Sequence, residues 1–198
     1  MEALVEVHRL ARAGRFTEAL GALRNLPGSS AARVPAQVAK AELLERIGHY
    51  SDSRDQVARL YRIGDLQAEY RSDCESVLGL IELEVGTCEG ATVHFQKALA
   101  LAEGARDAKR SAWCELRLMS ALSERDGSEA AVPRLSTVRT SVTRLGDPIV
   151  ATALHVFLSE VEGKRGMVHS AARHARRALS LLSHEENIWL ESRALNTL

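Results

Sequence analysis

Apolar positions recur at helical spacing along almost the whole chain. In the stretch 166–182, Gly166 is followed five places on by Ala171, and Ala175, Ala178, Leu179 and Leu182 then recur at steps of three and four. That period puts them on one face of a helix. The same register occurs four more times: Gly14, Ala19, Leu23, Leu26; then Gly48, Ser53, Val57, Leu60; then Gly86, Ala91, Phe95, Ala98; and, with Asp126 in place of glycine, Ala131, Leu135, Val138. The turn positions 14, 48, 86, 126 and 166 are 34, 38, 40 and 40 residues apart. A period of this size marks an array of helical hairpins, each burying its apolar face on the next. Two residues after the turn, Phe16, Tyr50, Cys88 and Val168 are expected to plug the space between paired helices, and Ser128 breaks the pattern.

The pattern predicts helices over about 2–13, 17–26, 32–47, 51–62, 66–85, 88–104, 107–124, 128–145, 149–163 and 167–182. Pro27-Gly28 ends the second helix, and Ser29-Ser30 begin the linker that follows. Pro35 is tolerable only in a first turn, and Pro133 predicts a late start or a kink. Ser51 or Asp52 supplies an N-cap, and Gly146-Asp147-Pro148 stops one helix and opens the next. The hairpins divide one array, 1–198, into units of about 1–30, 31–63, 64–104, 105–146 and 147–183, with an extra helix over 184–198. In that extra helix Trp189, Leu190, Ala194 and Leu195 are apolar on one side and are expected to pack on 167–182. With no breaker after it, this helix reads as the first half of a sixth hairpin, a capping helix being the alternative.

These units resemble tetratricopeptide repeats. The carriers of the resemblance are Leu78-Gly79 with Ala91 and Phe95, Gly166 with Ala171 and Ala178, and the aromatics Phe16 and Tyr50 after the turn glycines. The chain departs from the family in having Ala3, Gln37, Glu75, Glu115 and His155 at the family's Trp position, few late prolines, and periods longer than 34. The resemblance implies an all-α, right-handed α-α superhelix of about five hairpins plus a terminal helix. It also implies a concave face, lined by the first helix of each hairpin, that binds a protein or peptide. The residues it places there are His8 and Arg12; Glu42 and Arg46; Ser76, Leu80 and Glu84; Trp113, Arg117, Ser120 and Glu124; and Val156, Phe157, Glu160 and Lys164. Trp113 and Phe157 are peptide anchors if exposed there, core if buried. The Lys/Asn clamp by which family members hold a terminal carboxylate maps to Leu4 and His8, or Val38 and Glu42, and is absent.

Composition narrows the function classes. The chain is 45% hydrophobic, 4% aromatic and rich in helix formers. Lys plus Arg and Asp plus Glu are both 26, whereas a dedicated nucleic-acid binder carries a basic excess. Three cysteines without a Cys-x-x-Cys argue against a disulfide framework or zinc site, and with no signal-peptide core or apolar span the cytoplasm is the expected compartment. Cys88 is expected as a buried plug, Cys74 and Cys114 as partly exposed. No phosphate-cradling loop and no nucleophile elbow appears, so neither catalysis nor a cofactor or metal is indicated. The histidines are expected on solvated helix surfaces; His169 and His174, five apart, cannot chelate one ion. Acid pairs such as Glu42/Glu45 and Glu160/Glu162 are ordinary on charged helices. The basic run Lys164, Arg165, Arg173, Arg176 and Arg177 is a solvated outer face or a docking patch for an acidic partner or nucleic acid. Three functions stay open: a non-catalytic protein- or peptide-binding scaffold; the N-terminal sensor array of a larger bacterial signalling ATPase or transcription regulator; and a nucleic-acid-binding repeat, which requires those basic residues to line a groove beside aromatics. Pairing of two chains through the terminal helix stays open as well.

Overall fold

The computed structural model describes residues 2–25, 30–182 and 187–198. The regular structure among them is entirely helical: α1 (Glu2–Arg12), α2 (Phe16–Arg24), α3 (Ser30–Arg46), α4 (Tyr50–Tyr61), α5 (Ala68–Val85), α6 (Cys88–Gly104), α7 (Ala108–Asp126), a 3-10 turn (Ser128–Ala131), α8 (Val132–Leu145), α9 (Pro148–Lys164), α10 (Val168–Leu182) and α11 (Ile188–Leu195). No strand occurs among the described residues. The fold is all-α. Consecutive helices pack as hairpins, α1 on α2, α3 on α4, α5 on α6, α7 on the 3-10 turn and α8, and α9 on α10. The first helices also pack on one another, α1 on α3, α3 on α5, α5 on α7 and α7 on α9. The expected stop at Pro27-Gly28 and the Ser29 linker lie outside the described residues, while Ser30 already belongs to α3.

Side-chain caps start four of the described helices, α6, α7, α9 and α11. The Thr87 hydroxyl accepts from the Gly90 N–H at 2.9 Å to start α6. The Asp107 carboxylate does the same for Arg110 in α7, and Asp147 caps Ile149 and Val150 ahead of Pro148. Such caps satisfy backbone N–H groups that have no partner within the helix. Pro133 falls at the start of α8, behind a 3-10 turn, as the missing N–H of proline requires. The fourth turn corrects the expected register. Asp126 still ends α7, and Gly127 takes the left-handed conformation at φ 90°, as Gly14, Gly48 and Gly166 do in their turns.

The repeated small residues form the hairpin contacts. Ala19, Ser53, Ala91 and Ala131 are completely buried and Ala171 nearly so. Ser53 Oγ donates to the Ala41 carbonyl at 2.7 Å, and Ser159 Oγ donates to that of Ala171 at 2.8 Å. Backbones that come this close leave no room for a large side chain. The apolar positions four and seven further on, including Val57, Leu60, Phe95, Ala98, Val138 and Ala178, fill a series of clusters from α1 to α11, and Ala175 is completely buried.

Some expectations fail. Val168 is 68% exposed and plugs nothing, and Cys88 is only partly buried, because it lines the inner face described below. Cys74 and Cys114 are buried, since their side of α5 and α7 faces neighbouring helices.

Candidate binding site on the inner face

The first helices of the hairpins share an inner face with two adjoining cavities of about 420 and 470 Å³. Arg46, Leu80, Trp113 and Arg117 line both, His8, Arg12 and Glu42 line the larger, and Glu84, Phe157, Glu160 and Lys164 line the other. These eleven residues come from α1, α3, α5, α7 and α9, so one side of every first helix converges on the same space. Ser120 and Glu124 join them. Ser76 and Val156 do not, which corrects their expected placement. The Ser76 hydroxyl is buried 3.5 Å from Cys114 Sγ, and Val156 is wholly inside the core. Of the two aromatics, Trp113 is half-buried against the core with its ring on the cavities. Phe157 is 3% exposed and belongs mainly to the core, while also lining one cavity.

Trp189 of α11 is the element that sequence reasoning placed elsewhere. It lines both cavities instead of lying only on α10. The Arg46 guanidinium lies 4.4 Å from its ring centroid and that of Arg193 lies 4.7 Å, so the indole makes cation–π contact with both. Arg193 is fixed by Glu160, to which its Nε donates at 2.7 Å. Next to Trp189, Ile188 sits 3.6 Å from the point a side chain on Gly14 would reach, so the start of α11 meets the first turn of the chain. Trp189, Arg193, Asn187, Glu45 and Lys109 are wall residues that the repeat pattern does not single out, and only the arrangement of α11 against α1 and α3 brings the first three there.

The wall is rich in charge, unevenly paired. Lys164 bonds Glu124, and Lys109 meets Asp147 at 2.6 Å. Arg117 has no carboxylate at ion-pair distance among the described residues; its guanidinium lies 5.8 Å from the Trp113 ring centroid. Glu42 is pushed up to about 7, first by burial and then by the negative charge of Asp73, with Arg117 and Arg46 opposing. Burial likewise raises Glu45, whose Oε2 is buried without a hydrogen bond and lies 3.7 Å from Arg46 Nε. Burial lowers the proton affinity of Arg46, and burial with the Arg12 charge lowers that of His8. The site thus offers guanidinium donors, aromatic faces and a carboxylate that titrates near neutrality, in a space large enough for several side chains.

Among the described residues, no three metal-ligating side chains come together. Arg173, Arg176 and Arg177 are exposed on α10 and line neither cavity. His155 and His174, expected as solvated surface groups, instead pair half-buried between α9 and α10. No helix among the described residues is long and apolar enough to cross a membrane.

No family model matches the chain, and no curated protein matches it in sequence. Its structure is similar to that of BtubC (BKLC) from P. vanneervenii, at a TM-score of 0.63 and 16% identity, covering 96% of this chain and 80% of that one. At that identity the similarity supports the all-α fold and carries no function.

Proposed function

We propose that the chain is a non-catalytic module of tetratricopeptide type that binds a peptide segment of a partner protein along its inner face. The observation that carries this reading is the convergence of side chains from five first helices, with both tryptophans of the chain, on one pair of adjoining cavities. Concave sites with aromatic anchors and a few charged groups suit peptide side chains. Of the basic run, only Lys164 lines a cavity, bonded to Glu124, while Arg173, Arg176 and Arg177 lie away from both, which weighs against nucleic-acid binding through that run.

Trp113 and Trp189 make intrinsic fluorescence a direct reporter, since no other tryptophan contributes. Screening an array of short peptides should yield binders that shift this emission on titration. Arg117→Ala and Trp113→Ala should each weaken such a binder about tenfold or more, the usual effect of losing a charged or aromatic anchor. Binders indifferent to both substitutions but sensitive to changes on α4 or α6 would place recognition on the other helices and end this reading.

A further inference from the structure

Arg117 stands apart from the other arginines that are at least partly buried. Among the described residues these are Arg46, Arg110, Arg134 and Arg193. Each of them meets a carboxylate: Arg46 that of Glu45, Arg110 that of Asp73, Arg134 that of Glu115 and Arg193 that of Glu160. Arg117 meets none, and its guanidinium has no hydrogen-bond acceptor among the described residues; it has only the Trp113 ring, 5.8 Å away at the centroid. Arginines such as Arg59, Arg62 and Arg144 lack a carboxylate too, but they are exposed and line neither cavity, so water serves their donors.

The cavities give this difference a consequence. Arg117 lines both of them, so a chain that fills both passes Arg117 rather than ending at it. Such a chain also covers the guanidinium and withdraws its water. An occupant that brings no acceptor then leaves a cation buried and unmatched, which is costly. The acids of the walls do not fill the gap. Glu45 is the partner of Arg46, Glu124 of Lys164 and Glu160 of Arg193. Glu42 is raised to about 7 by burial and by Asp73, so near neutral pH it carries only part of a charge. Glu84 is exposed on the smaller cavity and beyond ion-pair distance of Arg117.

We infer that the segment bound along the inner face carries an aspartate or glutamate within its length, whose side-chain carboxylate pairs with Arg117 where the two cavities adjoin. This rests on the peptide-binding reading above and adds the chemistry of the partner. A planar carboxylate matches the guanidinium fork with parallel hydrogen bonds. A phosphate dianion matches the place less well, because Glu42, Glu45 and Glu84 line the same walls and repel a second negative charge. Selectivity follows as much from refusal as from attraction: a lysine set against Arg117 is repelled, and a glutamine leaves the cation without a counter-charge.

The test immobilises the whole chain and offers it mixtures of nonapeptides with blocked termini. Their sequences are random over uncharged residues except at the central position, which is fixed as Glu, Gln, Lys or phosphoserine. Retained peptide is quantified by mass spectrometry. Glu should be retained over Gln by about tenfold, the effect of one charge-assisted contact. Arg117→Gln should abolish that preference, and Arg117→Glu should turn it towards Lys, a reversal that loss of folding cannot produce. Arg59→Gln, an exposed arginine on α4, should leave it unchanged. Should both Arg117 variants lose their cooperative melt, Arg117→Lys keeps the charge without the fork and should narrow the preference, and an undiminished one overturns the inference. An uncharged mixture with free C-terminal carboxylates is run in parallel. Retention of that mixture above the Glu set, a preference for phosphoserine, no preference for Glu, or a preference that survives Arg117→Gln overturns the inference and leaves peptide binding standing. Retention of no mixture also overturns it, and only if the peptide array yields no binder either does the peptide-binding reading end with it.

Discussion

A single missing side chain sets the closeness of the third hairpin. A Cβ on Gly79 would sit 2.6 Å from Cε1 and 2.7 Å from Cδ1 of Phe95, a ring that is completely buried. Neither the ring nor the helix backbone has room to give, so Gly79→Ala should destabilise the protein by about 1–3 kcal/mol, as overpacking does. Gly21 is the internal control. It lies inside α2 with nothing within 4 Å of an added Cβ, so Gly21→Ala should stabilise by about 0.5–1 kcal/mol. Urea unfolding midpoints of the two variants are expected to move in opposite directions. The pair Leu78-Gly79 and Phe95 is visible in the sequence as part of the repeat, but which glycine is crowded is not. Both occur within helical patterns, and only the approach of α6 to α5 distinguishes them.

At the level of elements, α11 is short but joins distant parts of the chain. Asn187 caps it by accepting from the Leu190 N–H at 3.2 Å, and Leu190 and Ala194 are fully buried. Its packing on α9 and α10 follows from that apolar side. Its reach to Gly14 and Arg46 does not, and rests on Ile188 and Trp189. Trp189→Ala should lower stability by about 2–3 kcal/mol, from lost apolar contact and two cation–π contacts, and open the two cavities to each other. A double-mutant cycle with Arg46→Ala should give a coupling of about 0.5–1 kcal/mol. Additive effects would mean that the stacking at 4.4 Å contributes nothing to closure. Element boundaries are legible in the sequence to within a few residues, but not every cap is: α4 starts at Tyr50 with no side-chain cap, so neither Ser51 nor Asp52 caps it, and Pro35 lies inside α3 rather than in its first turn. The fourth turn was misplaced by one residue because Asp126 and Gly127 are adjacent and only backbone geometry shows which of them turns left-handed.

For the molecule as a whole, two titrating groups pull stability in opposite directions with pH. Glu42 has an ordinary value of 4.5 and is raised to about 7. Its fold-specific contribution is therefore fully present below 4.5 and is lost as pH rises through 7. His155 has an ordinary value of 6.5 and is lowered to about 4, so its contribution is present above 6.5 and lost as pH falls through 4. The melting temperature should peak between these limits. Glu42→Gln should flatten the alkaline side, raising the melting temperature by a few degrees at about pH 8 while changing little at about pH 4. His155→Asn should flatten the acid side. Thermal melts across that range check both, and unchanged slopes in the variants would assign the pH dependence to other groups.

What the sequence determined by itself is the alternation of helices, their buried faces and the side of each first helix that faces inward. All three follow from the 3.6-residue period, small residues at the hairpin contacts and caps at the ends, which are local properties repeated along the chain. His8, Arg12, Glu42, Arg46, Leu80, Glu84, Trp113, Arg117, Phe157, Glu160 and Lys164 could be gathered onto one face for that reason. The tertiary structure decided what shares the space with them. Trp189 and Arg193 enter from α11, Ser76 and Val156 withdraw into helix contacts, and His155 meets His174 across a hairpin. These outcomes depend on how each hairpin is rotated against the next. Small rotations accumulate over the array, and they are set by the packing of many side chains at once, which no single stretch of sequence encodes.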